Sequence, residues 1–348
     1  MGRIIDLRSD TVTLPSKTML KAILRAPLGD SHRDEDPTVR QLEVEGSALF
    51  GMEAGLLLIS GTMANQAALY AHCHTGTTLI ASVHSHIVKK ESLSTTHISG
   101  CAIHPIETED GVLVPDMVGK IIGMGNSSVS AVAIENTLNG PGGRVYPFSS
   151  MMELHGLCRS HGIPLHVDGS RIFNAIVEEK VEAREIGSYC DSLAFCLSKG
   201  LGAPLGSLLL GSKHFIERAK AARNLMGGGM RQAGIVAACG LFAIHHNVHR
   251  LVEDHENARL FARIIREEGG VDIVNGPVET NMVLFSVEGV LNCEDFGQRL
   301  GEEGVLLDMR RAPLIRAVTH LNHSREEIEY AGRKVARFLR NAFGNLGY

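Results

Sequence analysis

Three apolar runs and one glycine-rich stretch in this chain lead into residues whose types and spacing suit chemistry on a bound small molecule. The run 191–197 opens into Ser198-Lys199-Gly200-Leu201-Gly202-Ala203-Pro204. A lysine emerging from apolar surroundings is poorly solvated, which lowers its pKa and favours attack on a carbonyl. A surface lysine in a glycine-rich loop is the plainer alternative. The run 163–167 ends in Asp168-Gly169-Ser170-Arg171, a carboxylate placed to hold a cationic ring nitrogen or a metal, or simply an Asp-Gly turn. The run 54–59 empties into Ser60-Gly61-Thr62-Met63 at the start of a helix. Free N–H groups and the positive dipole end there suit a phosphate, although an ordinary Ser or Thr cap accounts for the same residues. Gly227-Gly228-Gly229-Met230-Arg231 can deliver a guanidinium to a phosphate, or can serve as a flexible turn.

Taken together, these four signals meet the needs of pyridoxal phosphate (PLP). Its aldehyde needs a lysine for a Schiff base, its pyridinium nitrogen a carboxylate, and its phosphate a set of donors. Lys199 follows Asp168 by 31 positions. Rival motifs are poorer. Gly123 and Gly125 lack the third glycine of a dinucleotide fingerprint, and Gly200, Gly202 and Gly206 have the wrong spacing. The histidine groups at 72 and 74, at 84 and 86, and at 245, 246 and 249 match no zinc-binding pattern, so no metal is expected. Asp34-Glu35-Asp36-Pro37 reads as a solvated turn or a helix start.

The elements that must position these residues alternate in kind. Apolar strand-like runs at 54–59, 129–134, 163–167, 193–197 and 205–210 are separated by helical stretches at 62–72, 150–161 and 213–225. Such alternation predicts an α/β fold with a mostly parallel sheet covered by helices on both faces, and ligands beyond the carboxyl ends of the strands. From about residue 250 the pattern changes to a compact α+β unit of roughly 100 residues. It reads as a helix at 250–268, strands at 272–275, 281–287 and 314–319, and helices at 293–303 and 325–343. The expected organisation is an N-terminal arm (1–15), a large cofactor domain (16–249) and a small C-terminal domain (250–348).

Composition narrows the class further. Across 348 residues, 34 Lys and Arg against 39 Asp and Glu give a net charge of −5, which argues against a nucleic-acid binder relying on a basic face. A hydrophobic share of 44% excludes a disordered chain. No apolar run approaches the ~20 residues that span a bilayer, and the start lacks a signal-peptide core. The seven scattered cysteines read as free thiols in a reducing, cytoplasmic setting.

The motifs, in order, resemble those of the L-threonine aldolase family, PLP enzymes of the aspartate-aminotransferase fold type I. The resemblance runs through Asp6-Leu-Arg-Ser-Asp-Thr-Val-Thr13, Asp36-Pro-Thr-Val39, Ser60-Gly-Thr-Met63, Ser85-His-Ile87 and Glu135-Asn-Thr137. It continues through Leu165-His-Val-Asp-Gly169, Arg171-Ile-Phe-Asn-Ala175, Leu197-Ser-Lys-Gly-Leu-Gly-Ala-Pro204, residues 227–234 and Arg316-Ala-Val-Thr-His320, so it covers nearly the whole chain.

The resemblance implies a PLP-dependent, reversible cleavage of L-threonine or L-allo-threonine to glycine and acetaldehyde. Lys199 would be the Schiff-base lysine, and Asp168 would pair with the ring nitrogen. Arg171 would lie on the side of the ring 3-oxygen, also within reach of substrate. Gly61, Thr62 and Met63 would hold the phosphate, with Arg231 reaching across from a neighbouring subunit of a homotetramer. His86 would stack on the ring and act with water as the base, while Ser9 and Arg316 would clamp the substrate carboxylate. Another PLP lyase on the same scaffold, or a PLP-binding chain without activity, are the alternatives. The chain departs from the family pattern at Arg33, at Val88 and Lys89, and at Leu138, where relatives commonly carry a histidine. These departures bear on the aldehyde side of the substrate and on threo against allo preference.

Overall fold

The computed structural model describes residues 4–123, 128–287, 293–310 and 312–344. The glycine pair at 123 and 125, weighed above as a dinucleotide signal, runs into residues 124–127, outside the described residues. Two compact units emerge. One comprises residues 15–141 and 145–248, and the other residues 1–14, 142–144 and 249–348.

The larger unit is built on a seven-stranded sheet. Its order is Ala54–Leu58, Ser207–Gly211, Ser192–Cys196, Leu165–Asp168, Val129–Glu135, Thr78–Ser82 and Ala102–Ile106. Only Ser207–Gly211 runs antiparallel to its neighbours; the remaining pairs are parallel. Every residue of Ser192–Cys196 and Ser207–Gly211 is buried, as a strand covered on both faces requires. Successive side chains point to opposite faces. Ala194 joins Ala64, Ala67, Ala68 and Ala71 beneath the helix Gly61–His72, while Phe195 packs with Phe50 and Phe173, with ring centroids 5.7 and 5.1 Å away. The alanines recur with helical spacing, so the helix can lie close to the sheet.

Two strands of the seven-stranded sheet escape the sequence reading. Thr78–Ser82 is short, and the edge strand Ala102–Ile106 is largely exposed and carries no apolar run. The acidic stretch at 34–36 supplies the buried Asp36, whose carboxylate caps the helix Pro37–Leu49 by accepting from the Thr38 and Val39 N–H groups.

The smaller unit is α+β. Its three-stranded antiparallel sheet contains Asp308–Met309, Leu314–Val318 and Met282–Ser286. Helices Leu251–Glu267, Cys293–Glu302 and Arg325–Gly344 complete it, and Phe261, Phe285, Phe296 and Ile315 sit at its core. The strand expected at 272–275 does not form. Ile273 makes a single bridge to Phe285, and the chain then turns at Gly276, which has a φ of 67° and is followed by Pro277. All seven cysteines are free and buried. Among the described residues no single helix is long and apolar enough to cross a membrane.

Candidate active site

The parallel strands deliver their C-terminal ends to one edge of the sheet, and the candidate residues collect there. Asp168 is the last residue of Leu165–Asp168, in register with Glu135 on one side and Ala194 on the other. Lys199 lies three residues past the strand Ser192–Cys196. Its loop closes through Gly202, whose φ of 74° permits the turn in which its N–H donates to the Lys199 carbonyl at 2.8 Å. His86 opens the helix His86–Ile98, capped by the Ser85 hydroxyl, a short turn beyond the strand Thr78–Ser82.

Asp168 is buried but accepts hydrogen bonds from Asn65 Nδ2 at 2.9 Å and from the Ser170 N–H at 3.1 Å. Burial alone would push its carboxyl up. The Lys199 and His86 charges, with those two hydrogen bonds, outweigh burial and hold it below the usual carboxylate range. The result is a carboxylate kept ionised in a dry setting, which suits a protonated ring nitrogen.

His86 is fixed twice. Its backbone N–H donates to Glu135 Oε2 at 2.6 Å, and its Nδ1 lies 2.7 Å from Glu91 Oε1. The Glu91 hydrogen bond raises the imidazole pKa, against the opposing effect of burial. With Nδ1 committed to Glu91, Nε2 is the nitrogen left for other chemistry.

Glu135 also accepts from the Asn139 N–H at 2.7 Å, yet burial and the Asp168 charge push it up to about 7. Arg171 is buried, with Nη1 3.5 Å from Asn139 Oδ1. Glu91, Glu135, Asn65 and Asn139 had no assigned role in the sequence reading. The available signals were an acidic residue early in the helix that His86 opens, and a glutamate ending an apolar run.

At the start of the helix Gly61–His72, the Ser60 hydroxyl accepts from the Met63 N–H at 3.2 Å. Gly61 and Thr62 precede Met63, and N–H groups in a first turn have no carbonyl partner within the helix. A Cβ on Gly61 would come within 2.7 Å of Cys196 Sγ, so only glycine lets this turn lie against the strand end. An anionic group fits that cradle, and Lys199, Asp168 and His86 fit an aldehyde-bearing cationic ring beside it.

Arg231 is exposed and pairs with Asp30 at 3.3 Å. Within the smaller unit, the Ser9 hydroxyl accepts from the Thr11 N–H, and the buried Arg316 bonds Asp308 at 2.9 Å and the Arg8 carbonyl at 3.1 Å. Leu138 is 3% exposed beside Gly111, whereas Arg33 is exposed and Val88 half-buried. Among the described residues no three His, Cys, Asp or Glu side chains converge as a metal site.

A strand-end lysine and aspartate at one edge of such a sheet define the architecture of PLP-dependent enzymes of fold type I. Solved structures share it. The threonine aldolase of Leishmania major superposes with a TM-score of 0.82 at 15% identity, covering 96% of this chain and 99% of that one. A structure of SPT with PLP gives 0.77 at 15% identity, covering 98% and 88%. The beta-eliminating lyase family model matches residues 6–289. The low specificity L-threonine aldolase of Escherichia coli K12 is 41% identical over 340 residues, which is 97% of this chain and 99% of that protein. The chain belongs to the beta-eliminating lyase family and, within it, to the L-threonine aldolases.

Proposed function

We infer that this chain is a PLP-dependent carbon–carbon lyase that cleaves L-threonine and L-allo-threonine, reversibly, to glycine and acetaldehyde. The observation that carries this reading is the buried, ionised Asp168 facing Lys199 and His86, in a chain related end to end to an L-threonine aldolase. Lys199 would hold the cofactor through its aldehyde, Asp168 through its ring nitrogen, and Gly61, Thr62 and Met63 through its phosphate. Arg171 would sit beside the ring. When bound, PLP supplies a sink for the electron pair left on Cα as the Cα–Cβ bond breaks.

The chain's own residues handle the protons. Asp168, whose carboxylate stays charged, would hold a proton at the ring nitrogen. In its neutral form, with the ring hydrogen on Nδ1 held by Glu91, His86 would take the proton of the β-hydroxyl at Nε2, directly or through water, and Glu91 would stabilise the positive charge that results. Glu135 anchors the His86 backbone and thereby sets where that imidazole stands. Ser9 and Arg316 receive the substrate carboxylate in this reading.

The proposed assembly is a homotetramer in which Arg231 reaches a neighbour's phosphate site, a role that its exposure permits. Seven buried free thiols support a reducing cytoplasmic setting.

The test loads the protein with PLP, reduces it with borohydride and maps the modified peptide, which should contain Lys199. The loaded enzyme is then given L-threonine and L-allo-threonine. Acetaldehyde and glycine support the reading. Ammonia and a 2-oxo acid would instead make it a β-eliminating enzyme, the second activity that the family model suggests.

A further inference from the structure

Behind Asp168 lies a buried polar chain that the mechanism above does not use. The strand register sets His166 directly beside Ser192, and His166 and Asp168, two residues apart, project from the same face. On the overlying helix Gly61–His72, Asn65 and His72 are two turns apart and share a side. Those two periodicities bring four side chains into one line. His72 Nε2 lies 2.7 Å from Ser192 Oγ, and that oxygen lies 2.9 Å from His166 Nδ1. His166 Nε2 lies 3.2 Å from Asn65 Oδ1. Asn65 Nδ2 then reaches Asp168 Oδ2 at 2.9 Å and Glu91 Oε1 at 3.3 Å. Asn65, His166 and Ser192 are each 1% exposed or less.

The inventory of donors and acceptors leaves one arrangement. Both carboxylates are acceptors, so the Asn65 amide must turn its two hydrogens toward them and keep its oxygen for His166. His166 must therefore carry its proton on Nε2, and its bare Nδ1 must accept from the Ser192 hydroxyl. Ser192 in turn accepts from His72 Nε2–H. Burial lowers His166 to about 4 and His72 to about 3, so both rings are neutral and the polarity of the chain is constant near neutral pH. His72 is further held against Phe215, ring centroids 4.4 Å apart and planes 23° apart. Rotating the Asn65 amide by half a turn would set its oxygen against two carboxylates and a donor against His166 Nε2–H. The chain blocks that rotation.

We propose that Asn65 is a positioning residue that couples Asp168 to the Glu91–His86 pair, and that His72, Ser192 and His166 lock its amide in the orientation that both carboxylates need. The proposal rests on the PLP reading for its consequence, since the carboxylate so held is the one that would face the ring nitrogen. Asn65 touches neither cofactor nor substrate in this role and acts through Asp168 and Glu91.

Two measurements on the full-length protein test it. In the cofactor-free chain, 15N-histidine NMR should show His166 as a neutral ring protonated at Nε2, its signals identified by their loss in His166→Gln. A ring protonated at Nδ1, or doubly protonated near neutral pH, overturns the lock. In PLP titrations followed by visible absorbance, Asn65→Leu should weaken cofactor binding by roughly 10- to 100-fold, the range for lost hydrogen bonds to charged groups. Ser192→Ala should weaken it less, and Ser192→Thr, which keeps the hydroxyl, should restore it. Circular dichroism and thermal melting of the cofactor-free variants separate this loss from misfolding. If Asn65→Leu fails to fold, the Ser192 pair decides, because that side chain is remote from the cofactor position. Wild-type PLP affinity in both Asn65→Leu and Ser192→Ala would overturn the coupling. A wild-type chain that binds no PLP would defeat the functional reading while the NMR result still decides the lock.

Discussion

Glu135 and Asp168 are register partners at the ends of adjacent parallel strands, and their carboxyl groups are driven in opposite directions. Burial and the neighbouring Asp168 charge raise Glu135 to about 7. Asp168 is just as buried but is held low by Lys199, His86, Ser170 and Asn65. Two like residues side by side thus take different protonation states, an arrangement that acid–base enzymes use to divide roles.

This pairing has a consequence for stability against pH. Glu135 binds its proton more tightly folded than unfolded, so stability falls as pH rises from the ordinary glutamate range through about 7. His86, raised by Glu91, contributes stability that is fully present below its unfolded value and is lost as pH rises through its folded one. Asp168 charge raises both groups, so Asp168→Asn reduces both losses. Melting temperatures of the cofactor-free chain between pH 5 and 8 should therefore fall less steeply for Asp168→Asn than for wild type. Parallel profiles would show that the three groups are not coupled as described.

Gly61→Ala places a methyl against Cys196 Sγ and, more loosely, Ser170 Oγ. Overpacking of this kind costs ~1–3 kcal/mol, and here it displaces the helix start that would face the phosphate. PLP affinity should drop about 5- to 100-fold, taking the same energy range as a loss of binding. Adding Cys196→Ala empties the space that the methyl needs, so the double variant should recover much of the affinity. Isothermal titration with PLP reads both steps.

Leu138→His inserts a polar ring at a site that is 3% exposed and packed against Gly111. Burial of an imperfectly paired polar group costs ~1–3 kcal/mol, so the melting temperature should fall by a few degrees. The ratio of L-threonine to L-allo-threonine cleavage should change more than PLP affinity does. Equal proportional changes in both would place position 138 away from the substrate side.

The proposed sharing of sites in a homotetramer predicts complementation. Lys199→Ala and Arg231→Ala chains should each be inactive or nearly so. Co-refolded mixtures should regain aldehyde release, because some sites then combine an intact lysine from one chain with an intact arginine from another. Mixtures no more active than the sum of their parents would assign Arg231 to its own chain, where Asp30 is its partner.

Much of this site was legible in the sequence. In a mostly parallel sheet the residue after each apolar run arrives at one common edge, so Asp168, Lys199 and the turn before Gly61 could be grouped without coordinates. The strand read at 272–275 failed because a glycine–proline turn follows the one bridge that Ile273 makes. Ala102–Ile106 went unread because an exposed edge strand needs no apolar run.

By itself, then, the sequence determined which residue types stand at the strand ends, because burial on both faces of a sheet forces long apolar runs, and those runs mark where the polar ends fall. Only the tertiary structure decided their states. Asn65 meets Asp168 across 103 positions, and His86 meets Glu135 across 49. Whether a carboxyl is charged, which imidazole nitrogen is free and which way an amide points depend on through-space neighbours and exclusion of water, and no local pattern of residues encodes either.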